Sequence, residues 1–174
     1  MESPNIEISL RKAEPPDLDA VFEVMADAAN WLQSRGIDQW RWVLSHRGRE
    51  YLLKRIESAE TYLVYRGPHE KAIATFTVQW EDVETWGEAG GDGSAGYVHG
   101  LAVCRRVGGK GLGNELLQRA SKMILDQGRR VVRLDCRAES EALCQYYRRA
   151  GFEDRGLGGG VNGFPAVQLF ERLL

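Results

Sequence analysis

The stretch with the clearest chemical potential covers residues 108–114, GGKGLGN, where four glycines fall within six residues. Glycine has no Cβ, so the backbone N–H groups of such a loop can turn outward to a ligand. An amphipathic pattern follows directly, and a helix N-terminus adds unpaired N–H groups and a partial positive charge. The alternation before the loop, at 97–103, is typical of a strand. The combination predicts a cradle for a phosphate or pyrophosphate, with a plain tight turn as the alternative.

The residue spacing within the loop distinguishes between the Walker loop and the dinucleotide-binding fingerprint as phosphate sites. A Walker loop requires Ser or Thr after its lysine, whereas Lys110 is followed by Gly111. A dinucleotide fingerprint requires a third glycine where this chain has Asn114. Asp135, at the end of the next predicted strand, does imitate the ribose-binding acid of that fold. Even so, four residues separate the loop from its strand, and a nucleotide-dependent Rossmann oxidoreductase is disfavoured.

The loop resembles the acetyl-CoA-binding motif of the GNAT superfamily of N-acyltransferases, which reads Q/R-x-x-G-x-G/A after a strand ending in L-x-V. Leu101 and Val103 supply that ending, and Gly111 and Gly113 occupy the glycine positions. Gly108 stands where glutamine or arginine is usual. This departure removes one side chain from the neighbourhood of the pyrophosphate but leaves the backbone donors.

A second match lies downstream, where SEALCQYYRRAGF at 140–152 resembles the N-x-x-A-x-x-x-Y-x-x-x-G-F helix of the same superfamily. Tyr147 and Phe152 match, whereas Ser140 replaces the asparagine. The two motifs occur in the expected order and together cover 96–152. The resemblance implies direct transfer of an acetyl group from acetyl-CoA to an amine.

The resemblance also implies which residues hold acetyl-CoA. The strand that contains Leu101 is expected to pair with the pantetheine through its backbone, and an N–H near Leu101 to polarise the thioester carbonyl. That strand should splay from the next one, 130–136. Arg105, Arg106 or Lys110 could supply positive charge. The expected cofactor-binding residues are Leu101, Ala102, Val103, Gly108, Gly109, Lys110, Gly111, Leu112, Gly113, Asn114 and Ser140.

Tyr147 matches the general acid of the family, which protonates the leaving thiolate. A phenol with a pKa near 10 can protonate a thiolate whose conjugate acid has a pKa near 8.5. Tyr146 is adjacent but lies about 100° round the predicted helix, so only one of the two should face the thiol. Core packing is the alternative for either side chain.

His99 is the expected base for the incoming ammonium, because a histidine titrates near pH 6.5. It occupies a position at which arylalkylamine acetyltransferases carry a histidine, just before the L-x-V stretch. By parity it shares a strand face with Tyr97. A structural histidine or a chain of waters are alternatives, and Glu81 or Glu84 are rival bases.

The acceptor site is expected to involve aromatic and acidic residues. The segment 81–95, EDVETWGEAGGDGSA, carries five acidic residues around Trp86, and it is either an acidic lip for a cationic substrate or a flexible solvated loop. Trp31 is either an aromatic wall of the acceptor pocket or part of a helix–helix corner. The candidate substrate-binding residues are Trp31, Glu81, Glu84, Trp86 and Tyr97.

The elements that must position these residues follow from periodicity and turn residues. Strands are predicted at 6–10, 61–65, 72–80, 97–103, 132–136, 152–157 and 166–170, and helices from Pro15 to before Gly36, over 47–58, after the glycine loop to Gly128, and from Ser140 as N-cap to Gly151. The fold class that agrees with the resemblance is α/β (α+β). It has a mixed, mainly antiparallel twisted sheet of about six or seven strands and about four flanking helices, in a single domain over 1–174.

Composition limits the function classes. The chain has 174 residues and a net charge of −2, so nothing in the charge balance argues for nucleic acid or an anionic membrane as a partner, and neither is expected. Its three cysteines lack metal-ligand spacing and are expected to be reduced thiols, so we predict a cytoplasmic protein without a metal. The expected function is an acetyl-CoA-dependent N-acetyltransferase acting on a small amine, as a monomer or homodimer. A catalytically idle acyl-CoA-binding sensor of the same fold is the alternative.

Overall fold

The computed structural model describes residues 7–160 and 165–174. The helices are α1 (Leu18–Ser34), α2 (Gly48–Ser58), α3 (Val83–Trp86), α4 (Leu112–Asp126) and α5 (Glu141–Arg149). The strands are β1 (Ser9–Lys12), β2 (Glu60–Tyr65), β3 (Ala74–Gln79), β4 (Ala95–Val103), β5 (Val131–Arg137), β6 (Glu153–Gly159) and β7 (Ala166–Leu173). These bounds confirm the elements predicted from periodicity. Ile6, which was assigned to the first strand, lies outside the described residues, as do positions 161–164 of the second glycine-rich loop.

The strands form one seven-stranded sheet in the order β1-β2-β3-β4-β5-β7-β6. The pairs β1–β2, β5–β7 and β6–β7 are antiparallel, whereas β4 and β5 are parallel. The β4–β5 ladder joins Ala95–Tyr97 to Val131–Arg133, although β4 has nine residues and β5 has seven. The mixed, mainly antiparallel sheet with a parallel pair that separates is therefore confirmed.

The chain divides into two compact units, each built from separate stretches. Unit 1 comprises the chain up to Gly36, Trp40–Thr77 and Gly100–Gly113, and unit 2 comprises Ile37–Gln39, Val78–His99 and Asn114–Leu174. That the whole chain acts as a single domain stays a prediction.

The core of unit 1 lies between α1 and α2. Val21, Met25 and Ala28 recur at helical spacing on α1 and are buried together with Leu52 and Ile56 of α2. Pro15–Asp17 form a short 3₁₀ turn before α1, where the fixed φ of proline is tolerated. After α1 the chain turns at Gly36, which has a φ of +72°.

The core of unit 2 contains the apolar stripe of α4 and the inward side chains of the sheet. Leu116, Leu117 and Ile124 on α4 are fully buried, as is Phe170 on β7. Gly96 is required on β4 because a Cβ there would lie 2.4 Å from Cγ1 of Ile124. Within the described ranges, no helix combines the length and the apolar character that crossing a bilayer requires.

Candidate active site

The imidazole of His99 on β4 lies between two carboxylates. Its Nε2 is 3.3 Å from Oδ2 of Asp82, and its Nδ1 is 3.6 Å from Oδ1 of Asp135 on β5. The side chains of His99, Asp82 and Asp135 are 16%, 9% and 22% exposed. We call these three residues the His99 cluster. Two flanking carboxylates stabilise a protonated imidazole, so the arrangement suits a histidine that takes up a proton.

Asp82 reaches His99 because the acidic segment is folded. One Asp82 carboxylate oxygen accepts a hydrogen bond from the backbone N–H of Thr85 at 3.2 Å and caps the short helix α3. The backbone N–H of Asp82 donates to the carbonyl of Gly90, in a 3₁₀ turn over Gly87–Gly91. The predicted loop therefore contains two helical turns.

The charge state of Asp82 follows from this environment. Burial raises the pKa of the carboxyl, but His99 and Thr85 more than offset it, and the net effect is a pKa below the ordinary value. Asp82 thus stays ionised beside the imidazole. Glu81 and Glu84, the rival bases, are exposed. The residue of this segment that lies beside His99 is Asp82, which is between them in the chain.

Two buried atoms of the cluster lack a hydrogen-bond partner. Oδ2 of Asp82 and Nε2 of His99 are inaccessible to solvent, and although they are 3.3 Å apart their orientation makes no hydrogen bond. Buried polar atoms are almost always paired, so these two exceptions require an explanation, and a catalytic role is one of the recognised ones. The donor atoms of Asp82, His99 and Asp135 all lie within 4.8 Å of one another, a spacing that could also hold a metal ion.

Tyr97 and Trp86, two candidate substrate-binding residues, are tied to Arg133. The Tyr97 hydroxyl accepts from Nη1 of Arg133 at 2.9 Å and donates to the carbonyl of Ala89 at 3.2 Å. The guanidinium of Arg133 lies 4.8 Å from the ring centroid of Trp86 and is paired with Glu171 at 2.7 Å. With Tyr97 only 1% exposed, these contacts favour a role in holding the segment that carries Asp82.

Tyr147 on α5 faces inward, whereas Tyr146 is 38% exposed. The Tyr147 ring packs against Phe170 and Phe152, with centroids 5.6 and 6.1 Å apart. Burial is the main cause that raises the pKa of its phenol well above 10, with Cys136 adding to it. The phenol therefore keeps its proton at every working pH, but it is a weaker acid than the ordinary tyrosine assumed from the sequence.

Ser140 occupies the N-cap position of α5 but does not cap it with its side chain. The hydroxyl makes no N-cap hydrogen bond, and its Oγ is buried without a partner. The prediction of Ser140 as the N-cap residue is therefore confirmed, although its side chain makes no capping hydrogen bond. Nearby, the Sγ atoms of Cys136 and Cys144 lie 3.7 Å apart as free thiols. This pairing was not foreseen, because the two residues are eight positions apart on different elements.

The glycine loop, residues 108–113, is in unit 1 and opens α4. Gly109 and Gly111 have φ of +77° and +79°, and a Cβ at either position would meet nothing within 4 Å. Gly109, Lys110 and Gly111 are exposed, whereas Leu112 is buried and fixes the first turn of α4. Positive φ and open space are the properties that a backbone anion cradle requires.

The charge beside the glycine loop is divided between two arginines. The guanidinium of Arg106 donates hydrogen bonds to the backbone carbonyls of Lys71 and Ala72, so it is already bound within the protein. Arg105 stacks on Trp31, with its guanidinium carbon 3.8 Å from the ring centroid, and its backbone N–H donates to Asp27 at 2.7 Å. The ring of Trp31 thus packs against the guanidinium of Arg105. Its role as an acceptor wall stays a prediction.

The side chains of the predicted acetyl-CoA strand alternate in exposure. Leu101 and Val103 are half-buried, whereas Ala102 between them is 2% exposed. Of the predicted loop residues, Gly108 and Gly113 are half-buried and Asn114 is exposed. The assignment of these residues to acetyl-CoA stays a prediction.

Sequence reasoning missed both carboxylates of the His99 cluster, although each left a signal. Asp82 precedes Val83 and stands three residues before Thr85, which is the position of a helix N-cap. Asp135 is an acidic residue between Leu134 and Cys136, in a strand whose other members are mostly buried. These signals indicate an N-cap and an unusual strand residue, but not that both side chains meet one histidine.

Comparisons with known proteins show the family to which the chain belongs. The model of the acetyltransferase (GNAT) family matches residues 23–152. An uncharacterized N-acetyltransferase, YesJ of Bacillus subtilis, is 33% identical over 160 residues, which is 90% of this chain and 84% of that protein.

Solved structures give the same result for the fold. A GNAT-family acetyltransferase from Listeria monocytogenes superposes with a TM-score of 0.77 at 26% identity, covering 100% of this chain and 99% of that one. The PaiA N-acetyltransferase of Thermoplasma acidophilum, solved in complex with coenzyme A, has a TM-score of 0.71 at 17% identity over 97% of this chain and 99% of its own.

Proposed function

Because this chain belongs to the GNAT acetyltransferase family, we propose that it transfers the acetyl group of acetyl-CoA directly to a primary amine of a small acceptor, with His99 as the base. The chain is thus an N-acetyltransferase with acetyl-CoA as its co-substrate, and the acceptor and the roles of individual residues are the proposal. The observation that carries it is the placement of the His99 imidazole between two carboxylates.

The proton balance of the reaction assigns one task to each group. His99 removes a proton from the acceptor ammonium, and Asp82 and Asp135 stabilise the imidazolium that forms. The free amine then attacks the thioester carbon, so that a C–N bond forms and the C–S bond breaks. The attacking nitrogen releases its second proton to solvent, which leaves a neutral amide, and solvent returns a proton to Tyr147 after that residue has protonated the thiolate. Tyr147 donates its proton to the departing thiolate, and the raised pKa of Tyr147 ensures that this proton is present. A backbone N–H near Leu101 polarises the carbonyl.

The glycine loop supports the proposed use of acetyl-CoA. The backbone of the loop, rather than the Lys110 side chain, would receive the pyrophosphate, because Gly109 and Gly111 hold the left-handed conformation that turns N–H groups outward. Arg105 supplies a cation in the same unit. The idle-sensor alternative gains no support, since the chain retains a half-buried histidine that lies between two carboxylates.

The experiment replaces His99 and follows release of the free CoA thiol with a panel of amines. His99→Ala should lower kcat/KM by about 10²-fold at neutral pH, the range for lost general base catalysis. The loss should shrink at high pH, where the amine is already deprotonated. His69→Ala is the matched control, because His69 is exposed and lies in the β2–β3 turn region.

Two results would contradict the proposal. An unchanged pH profile in His99→Ala, together with a lowered Tm, would return His99 to a structural role. Absence of turnover with every amine, despite tight CoA binding, would favour the sensor.

A further inference from the structure

The space beside Gly108 is filled by another residue of the same unit. A Cβ at position 108 would lie 2.9 Å from Nη1 and 3.0 Å from Cζ of Arg105. Position 108 is also where this chain departs from the acetyl-CoA motif, which has glutamine or arginine there. The guanidinium of Arg105 therefore occupies the space that the missing side chain would enter.

Gly108 is not required by its backbone conformation. Its φ of −65° and ψ of 161° are extended values that any residue adopts, unlike the positive φ of Gly109 and Gly111. The three heavy atoms nearest to its absent Cβ all belong to the Arg105 guanidinium. Glycine at this position thus serves to admit that guanidinium.

Arg105 is held in this place at two points. Its guanidinium carbon lies 3.8 Å from the ring centroid of Trp31 on α1. Its backbone N–H donates to a carboxylate oxygen of Asp27, on the same helix, at 2.7 Å. Residues four positions apart are neighbours on a helix surface, so α1 fixes both the main chain and the side chain of Arg105. A side chain that is already fixed loses less conformational entropy when it binds a ligand.

The donors of this guanidinium are not used within the part of the chain that the structure describes. Over 7–160 and 165–174, the Arg105 side chain makes no ion pair and donates no hydrogen bond. The adjacent Arg106 differs, because its guanidinium is bound to two backbone carbonyls. Stacking on Trp31 uses the face of the Arg105 guanidinium and leaves the N–H groups at its edge to donate. This cation is therefore available to an anion.

We propose that Arg105 takes the place of the side chain missing at position 108 and binds the pyrophosphate of acetyl-CoA, with Trp31 as its positioning residue. The inference rests on acetyl-CoA as the co-substrate of the proposed acetyl transfer. The planar fork of arginine matches two phosphate oxygens, and the pyrophosphate is the anion that the adjacent glycine loop is expected to hold. Trp31 then acts on the co-substrate through Arg105, and not on the acceptor.

The test measures the binding of three probes by calorimetry. CoA and 3′-dephospho-CoA both carry the pyrophosphate, only CoA carries the 3′-phosphate, and pantetheine, which is followed by its competition with CoA, carries no phosphate. Arg105→Gln removes the proposed contact. Arg35→Gln is the matched control, because Arg35 is also exposed and its guanidinium carbon lies 5.0 Å from the same Trp31 ring, but it is not among the atoms beside Gly108.

Arg105→Gln should weaken the binding of CoA and of 3′-dephospho-CoA by about tenfold and leave that of pantetheine unchanged. Tenfold is the lower end of the range for a hydrogen bond to a charged group, because Arg105 is exposed. Arg35→Gln should change the affinity for CoA by less than about twofold. Adding Gly108→Arg to Arg105→Gln should restore most of the affinity, since the backbone at position 108 accepts a side chain and the space is then free.

Trp31→Leu tests the positioning role. In the wild type this change should weaken CoA binding by about threefold, the equivalent of an exposed cation–π contact. In the Arg105→Gln protein it should have no effect, because Trp31 acts only through Arg105. A Tm for each variant verifies folding. An equal loss of CoA affinity in both backgrounds would mean that Trp31 has a structural role only and would contradict its assignment.

The outcomes separate this inference from the proposed function. Unchanged CoA affinity in Arg105→Gln, or an equal loss for CoA and pantetheine, would overturn the inference and leave acetyl transfer standing. A loss confined to CoA would assign Arg105 to the 3′-phosphate and also overturn it. Failure of Gly108→Arg to restore binding would contradict the replacement of the missing side chain. Arg105-dependent binding of CoA and 3′-dephospho-CoA without turnover of any amine would support the inference and contradict the proposed function.

Discussion

The glycine loop and the His99 cluster are built in opposite ways. The glycine loop offers backbone N–H groups, and its property depends on the absence of side chains at Gly109 and Gly111. The His99 cluster offers side-chain atoms only, held by an N-cap at Asp82 and by the strand position of Asp135. A region that functions through its backbone should tolerate loss of a side chain but not addition of one. A side-chain cluster should show the reverse, and the predictions below test this contrast.

The largest effect is expected at Tyr147, a side-chain function. Tyr147→Phe should lower kcat by about 10²-fold with CoA affinity near normal, because only the leaving-group proton is lost. Tyr146→Phe is the control and should have a much smaller effect, since Tyr146 is exposed. Because the pKa of Tyr147 is raised, the wild-type kcat should not fall as the pH passes 10. If Tyr146→Phe lowered kcat more than Tyr147→Phe, the general acid would have been assigned to the wrong tyrosine.

The backbone region is tested by adding a side chain. Gly111→Val should weaken CoA binding by about tenfold or more, the equivalent of one lost hydrogen bond to a charged group. At a φ of +79° the added Cβ also strains the chain, so a lower Tm is expected. The measurements are CoA titration and thermal unfolding. An unchanged CoA affinity in a folded Gly111→Val protein would remove the cradle assignment.

The matched change in the same loop removes a side chain. Lys110 is exposed, so Lys110→Ala should change CoA affinity by less than about fivefold, as an exposed ion pair is worth about 0.2–1 kcal/mol. CoA titration at low and high salt isolates the contribution of the Lys110 charge, because at high salt screening should abolish the difference in CoA affinity between wild type and Lys110→Ala. A loss larger than that of Gly111→Val would mean that the loop acts through its lysine, and the contrast between the two regions would fail.

The positioning role of Asp82 gives an intermediate effect. Asp82→Asn keeps the size of the side chain but removes the charge beside His99, and kcat/KM should fall about tenfold. The pH at which kcat/KM half-rises should move down, since the imidazolium loses a stabilising carboxylate. Glu84→Gln is the control on the same turn. A fall in activity without any movement of the pH profile would indicate a structural effect only.

The smallest effect concerns stability in acid. The pKa of Asp82 is lower in the folded chain than its ordinary value, so the ionised form stabilises the fold above the unfolded pKa of about 3.9. That contribution is lost as the pH falls through the folded value. The Tm difference between wild type and Asp82→Asn should therefore shrink between pH 5 and pH 3. A difference that is constant over this range would mean that no linked proton is bound at Asp82.

Much of the fold and part of the site were predictable because they depend on local sequence. The α1 stripe, the stop at Gly36 and the β2–β3 pair follow from periodicity and turn residues, and each was confirmed. The acidic segment around Trp86 was harder, because its helical turns depend on a cap at Asp82 and on Arg133 from another strand. Ser140 was predicted as the N-cap residue of α5 and occupies that position, but the sequence did not indicate that its hydroxyl makes no capping hydrogen bond.

The sequence by itself determined the family resemblance, the order of the elements and the glycine loop, since these depend on neighbours within a few residues. Only the tertiary structure decided which carboxylates meet His99, which tyrosine of α5 is buried, and that Arg105 stacks on Trp31. The physical reason is that these contacts join residues that are distant in the chain, and their geometry depends on strand register and helix packing. A single sequence specifies those contacts only through the whole fold.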